Sequence, residues 1–107
     1  MKLDLVGEWE LIATSRDLSG DGTMFPLGSR FIFSDNGDYT IRGVAKHCLR
    51  MRYSFEPKTM ELTLIYRTGE TQNIKASVKE SVDGEMIVAL EDPRGSIEEI
   101  KRSHTHN

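Results

Sequence analysis

The feature that most constrains this chain is the regular recurrence of tight-turn signals. Asp35-Asn36-Gly37, Ala45-Lys46, Glu56-Pro57-Lys58, Thr68-Gly69, Asp83-Gly84 and Pro93-Arg94-Gly95 interrupt short runs rich in Ile, Val, Leu, Tyr, Phe and Thr. Gly, Asn and Asp tolerate left-handed backbone and Pro presets φ, so these groups reverse the chain where they stand. The pattern predicts many short strands joined by hairpins, near 8–15, 30–34, 38–44, 47–55, 60–67, 70–79, 85–91 and 96–102. No stretch carries a sustained helical stripe with caps, and at most a short helical turn fits within 17–28.

Alternation within the runs assigns an inner face. Trp9, Leu11 and Ala13 share one side of the first strand, Phe31 and Phe33 one side of the second, and Tyr39 and Ile41 one side of the third. Leu49, Met51, Tyr53 and Phe55 come next, then Leu62, Leu64 and Tyr66, then Ile74, Ala76 and Val78, then Met86, Val88 and Leu90. Arg50, Arg52, Thr63 and Lys75 fall on the opposite face, together with Ile12, Ile65 and Ile87, whose outward apolar set offers a dimer surface. About eight hairpin-linked strands with one inner face predict an all-β, up-and-down antiparallel barrel, which removes unpaired edges by closing on itself. A sandwich is the rival, but Greek-key connections are longer than these turns. The 107 residues fit a single domain spanning 1–107.

Gly7-Glu8-Trp9, opening the first strand, resembles the Gly-x-Trp signature of the lipocalins and the wider calycin group. The stretch Phe31-Ile32-Phe33-Ser34-Asp35-Asn36-Gly37-Asp38-Tyr39 resembles the short bacterial lipocalin-like domains, with an apolar strand, an Asp-Asn-Gly turn and a Tyr-containing strand. Members of the group typically close with an Arg that packs over the Trp, and the last strand here ends in Lys101-Arg102. The resemblance covers nearly the whole chain. The chain is shorter than a typical lipocalin, and neither a C-terminal helix nor the middle lipocalin motif is evident. The resemblance implies a lipocalin-like barrel that binds a small hydrophobic or anionic molecule without catalysing a reaction.

Strand parity reaches the same closing pair independently. Neighbouring strands alternate in direction, so the start of strand one and the finish of strand eight share an end, and Arg102 can lie over Trp9 there as a structural closed-end pair. The 16–29 segment and the turns at Lys46, Thr68-Gly69 and Pro93-Arg94-Gly95 share the opposite end, the expected mouth. Met24, Phe25 and Leu27 of the long segment are candidates to fold over that mouth or to stopper it. Lys46, His47, Arg67 and Arg94 would ring it with positive charge. Tyr39, Tyr53 and Tyr66 bring hydroxyls inward, and Glu98 shares the face of Ile100 and Arg102. Buried hydroxyls and carboxylates need partners, which Glu98–Arg102 or Tyr–Glu98 pairing would supply. The alternative is that Phe25, Tyr53, Tyr66, Arg94 and Glu98 contact a bound ligand.

Charge is uneven along the chain. Residues 1–41 carry three bases against seven acids, residues 42–75 seven bases against three acids, and residues 76–107 four bases against seven acids. The basic middle third favours an anionic partner. Arg42, Arg50 and Arg52 form an outward basic patch, but no exposed aromatics interleave them, and nucleic-acid binding is not expected. With the outward isoleucines, that patch motivates the alternative of a protein-interaction module built on a filled barrel.

Little in the sequence points to bond-making chemistry. Asp17 and Asp21-Gly22 lack the ligand series of a calcium loop, and His104-x-His106 lacks a third ligand, so no metal or other cofactor is expected. His47 and Cys48 point to opposite strand faces and cannot form a nucleophile–base pair. No Gly-x-Ser-x-Gly, phosphate loop or paired-Cys motif occurs, which leaves Tyr66 or Glu98 as proton-transfer groups in a third, enzymatic reading. The lone Cys48, the absence of a long apolar stretch, and a Met1-Lys2-Leu3-Asp4 start without a secretory apolar core predict a cytoplasmic protein with no membrane association.

Overall fold

In the computed structural model of the chain, eight strands close into one all-antiparallel barrel in which every strand neighbours the next in sequence and the first pairs with the last. The described residues are 3–15, 26–43, 48–80 and 84–103. The strands are β1 (Gly7–Thr14), β2 (Arg30–Phe33), β3 (Asp38–Arg42), β4 (Cys48–Glu56), β5 (Glu61–Ile65), β6 (Thr71–Glu80), β7 (Met86–Glu91) and β8 (Ile97–Arg102). Each lies within two residues of its expected bounds. This is the expected all-β, up-and-down architecture, and it is compatible with a lipocalin-like fold. No helix among the described residues is long and apolar enough to cross a membrane.

Three of the hairpins use one turn design. Ser34 N–H donates to the Asp38 carbonyl, Tyr66 N–H to that of Glu70, and Asp92 N–H to that of Ser96. In each, the glycine just before the closing residue (Gly37, Gly69 and Gly95) returns its N–H to the first residue's carbonyl with φ near +90°. A three-residue loop with a left-handed third residue suits the right-handed twist of paired strands, and glycine takes that conformation without steric cost.

The inner face follows the alternation, with corrections at Ala13, Val78, Leu49 and Met86, the last three being exposed. Between Leu11 and Ala13 the β1–β8 register slips: Leu11 faces Ile100, but Ala13 faces Glu99 and Thr14 faces Glu98. Ile12 is the extra residue of a β-bulge, so everything after it changes face. Ala13, expected inside, therefore shares the outer face with Glu99. Val78, also expected in the core, is 47% exposed, because β6 runs on beyond Ala76, whose N–H bonds to the Met60 carbonyl just ahead of β5.

The closed end is built on Trp9, which is fully buried and donates its indole N–H to the Leu5 carbonyl at 2.9 Å. Arg102 faces Trp9 in the β1–β8 register, and its guanidinium carbon sits 4.4 Å from the ring centroid. Its Nη1 donates to the Val6 carbonyl at 2.7 Å and its Nη2 to the Asp4 carbonyl at 2.5 Å. Leu3 and Leu5, which precede the first strand and continue the parity of Trp9 and Leu11, are buried in the core beside them. The geometry also explains the glycine of the Gly-x-Trp signature. Gly7 has φ +132°, and a Cβ there would come 2.5 Å from Arg102 Nη1.

Gly7→Ala should therefore lower stability by about 2 kcal/mol or more, since it strains the backbone and displaces the guanidinium. Arg102→Ala should lose a similar amount, about 2–3 kcal/mol, from the stacked cation and its two charge-assisted hydrogen bonds. Urea denaturation measures both. Arg102→Lys should recover less than half of the loss, because an ammonium cannot stack and bond both carbonyls together.

Candidate functional site

Aromatic and aliphatic side chains divide the barrel interior. Phe33 stacks on Tyr39 with centroids 4.6 Å apart and meets Tyr53 edge-on at 5.0 Å. With Trp9, Leu11, Val88 and Ile100, all buried, these rings fill the part of the interior beside β1 and the closed end. Beyond those rings, Ile41, Met51, Leu62, Leu64, Ile74 and Leu90 are mid-sized. There a cavity of about 440 Å³ remains, within the usual size range of small-ligand sites.

Its inner wall is apolar, formed by Phe31, Met51, Leu62, Leu64, Ile74 and Leu90. Polar groups gather where the turns after β5 and β7 lie: Tyr66, Gln72, Asp92, Arg94 and Glu98. Tyr66 donates its hydroxyl to Gln72 Oε1 at 2.7 Å, which leaves the phenol oxygen able to accept and the Gln72 amide nitrogen able to donate. Asp92 Oδ1 accepts the N–H groups of Arg94 and Ser96, both at 2.9 Å, so this carboxylate fixes the turn that presents Arg94. Glu98 enters from β8, opposite Leu90 on one side and Thr14 on the other.

The structure thus brings Tyr66, Arg94 and Glu98 to one cavity but leaves Tyr53 out of it. Tyr53 belongs to the other end. Its N–H bonds to the Gly37 carbonyl and its hydroxyl donates to the Ser34 carbonyl at 2.7 Å, both in the β2–β3 turn. Arg102 is likewise committed to the closed end, four residues along β8 from Glu98. Phe25, Lys46 and His47, along with Met24, Asp17, Asp21, His104 and His106, lie outside the described residues. Leu27 is described and is 53% exposed. Among the described residues the lining carries one cation, Arg94, against the carboxylates of Asp92 and Glu98, and Arg67 is not part of it.

Gln72 and Asp92 were not among the expected site residues. Gln72 was legible, because it shares the parity of Ile74 and Ala76 on β6 and faces Leu64. Asp92 opens an Asp-Pro-Arg-Gly-Ser turn, and an Asp in that position commonly turns its side chain back onto the turn's N–H groups.

No protein-family model matches the chain, and no curated protein does.

The phenol of Tyr53 is held above its ordinary value of 10.0, first by burial and then by the nearby charges of Asp4 and Asp35. All three disfavour the phenolate. The folded state therefore keeps the proton more tightly than the unfolded chain, and stability supplied by Tyr53 is fully present below about pH 10 and declines as pH rises beyond it. Tyr53→Phe should cost about 1 kcal/mol near neutral pH, from the lost bond to Ser34, and should flatten the alkaline limb of a stability–pH curve. It should leave the lining of the cavity unchanged.

Proposed function

We propose that this protein is a non-catalytic, small-ligand-binding barrel that takes a small hydrophobic or anionic molecule into its interior cavity. The observation that carries the reading is the pairing of an apolar inner wall with a polar group set at one end of a cavity of about 440 Å³. Such a site buries the body of a ligand and orients its head with a few polar contacts. Arg94 supplies the cationic contact for an anionic head, and Gln72 and Tyr66 supply neutral ones. Two backbone N–H groups bond the Asp92 Oδ1 and so hold the turn that presents Arg94. The resemblance of Gly7-Glu8-Trp9 and Arg102 to the lipocalin signature supports the same reading, and the exposed lone Cys48 suits a reducing, cytoplasmic setting.

A second reading rests on β6. Among the described residues its last stretch, Ser77–Glu80, has β7 on one side and no strand on the other, and Val78 and Met86 there are 47% and 39% exposed. An unpaired strand edge of this kind is a template for strand addition, and a second copy of the chain would make the barrel a homodimeric interaction module.

Displacement of an environment-sensitive fluorescent fatty acid, with native mass spectrometry to count bound molecules, tests the first reading. Stoichiometric binding that Ile41→Trp abolishes by filling the cavity, with melting unchanged, is the expected outcome. Absence of any bound apolar or anionic amphiphile would overturn it. Analytical ultracentrifugation tests the second: a monomer at every concentration removes it, whereas a dimer broken by Val78→Asp supports it.

A further inference from the structure

On the outer wall, most cations carried by strands are matched by an acid. Arg30 reaches Glu8 at 3.6 Å and Glu10 at 3.9 Å, Arg52 reaches Asp38 at 3.1 Å, and Lys101 reaches Glu85 at 3.4 Å. Lys79 pairs with Glu99, and Lys75 stands in register between Glu61 and Glu91. Arg42 and Arg50 are the exception. Both are exposed, and neither has an ion pair or side-chain hydrogen bond among the described residues.

Their placement is specific. Thr40 faces Arg50 and Arg42 faces Cys48 in the β3–β4 register, so the two arginines are diagonal neighbours with Cα atoms roughly 7–8 Å apart. On its other side Arg42 faces a further arginine, Arg30. Arg42 and Arg50 line a hollow of about 360 Å³ on the outer sheet, along with Ser34, Asp38 and Thr40. The only acid in that hollow, Asp38, is already bonded to Arg52, which also donates to the Asn36 carbonyl at 3.0 Å. Two guanidinium forks therefore flank a hydroxyl with no countercharge between them.

We propose that this outer hollow is a second binding site, separate from the interior cavity, that holds a phosphate-class dianion between Arg42 and Arg50. Guanidinium forks match the oxygens of a phosphoryl group two at a time, and two unmatched positive charges suit a dianion better than a single carboxylate. The Thr40 and Ser34 hydroxyls supply neutral donors on the sheet side. This site does not depend on the interior reading, and each can fail without the other.

The test is an amide NMR titration of the whole chain with inorganic phosphate, run against sodium chloride at matched ionic strength. Residues 38–42 and 48–52 should shift saturably with phosphate. Arg42→Gln/Arg50→Gln should weaken binding by about tenfold or more, and Arg42→Lys/Arg50→Lys by less, because the charge remains while the forks are lost. Both arginines are exposed, so melting should be unchanged in either variant. Equal shifts in chloride, or undiminished phosphate binding in the glutamine variant, would overturn the site. Sedimentation with phosphatidylcholine vesicles containing phosphatidic acid separates two sources of the same chemistry. Arginine-dependent co-sedimentation assigns a lipid headgroup, and phosphate binding without co-sedimentation assigns a soluble phosphate ester.

Discussion

The fold depends on the seam between β1 and β8, and that seam is locked by one guanidinium. Bringing the two ends of the described chain together carries the largest loop-closure entropy in the molecule, because Arg102 lies 93 residues along the sequence from Trp9. The register of the two strands supplies ladder hydrogen bonds, but a ladder alone does not fix where the strands stop sliding. Arg102 does, because three different contacts meet on it: the indole face, the Val6 carbonyl and the Asp4 carbonyl. The two carbonyls belong to a segment ahead of β1. Arg102 thereby draws Leu3 and Leu5 under the barrel, where Leu5 accepts the indole N–H. Gly7 is the condition for all of this, since a side chain there would occupy the space that the guanidinium fills.

Closing one end in this way sets the character of the interior. The bulky rings of Trp9, Phe33, Tyr39 and Tyr53 collect against the sealed end, where the phenylalanine and the tyrosines pack face-to-face or edge-on. Beyond them Phe31 and Tyr66 stand among Ile41, Met51, Leu64, Ile74 and Leu90, and these side chains line a cavity instead of closing it. The polar groups at its far end come from the strand-to-strand turns that must lie there, so the same topology that seals one end equips the other.

How much of this was legible is clearest residue by residue. The strands and their order could be read from turn spacing because three of the turns share one hydrogen-bonded design with a glycine in a fixed place. The Trp9–Arg102 pair was implied by the resemblance to the lipocalin signature, and counting strand directions independently put both residues at one end. Alternation assigned faces correctly until the bulge at Ile12, which inserts one residue with no local marker and turns Ala13 outward. Alternation also says nothing of height along the barrel. Tyr53 and Tyr66 share the inner face, yet one serves the sealed end and the other the cavity. Their heights depend on distance from the neighbouring turns: Tyr53 bonds back to the 34–37 turn, and Tyr66 begins the next turn at the far end. Leu3 and Leu5 precede the first strand but keep the odd-numbered parity of Trp9 and Leu11, so their spacing carried a core signal that a strand start at residue 8 left out.

The uneven charge of the sequence also acquires a place. The basic middle third favoured an anionic partner, and its Arg42, Arg50 and Arg52 project from the outer faces of β3 and β4, whereas Asp92 and Glu98 stand among the cavity's polar groups. Period-two geometry makes this unavoidable. On a strand whose Leu49, Met51 and Tyr53 face inward, Arg50 and Arg52 must face out. The arginines of β3 and β4 therefore belong to the outer wall, while Arg94 stands at the cavity in a turn held by Asp92. A single positive mouth would have tied the interior and exterior chemistry of this barrel together. The alternation of β4 keeps them apart, because residues one position apart on that strand serve opposite sides of the same wall.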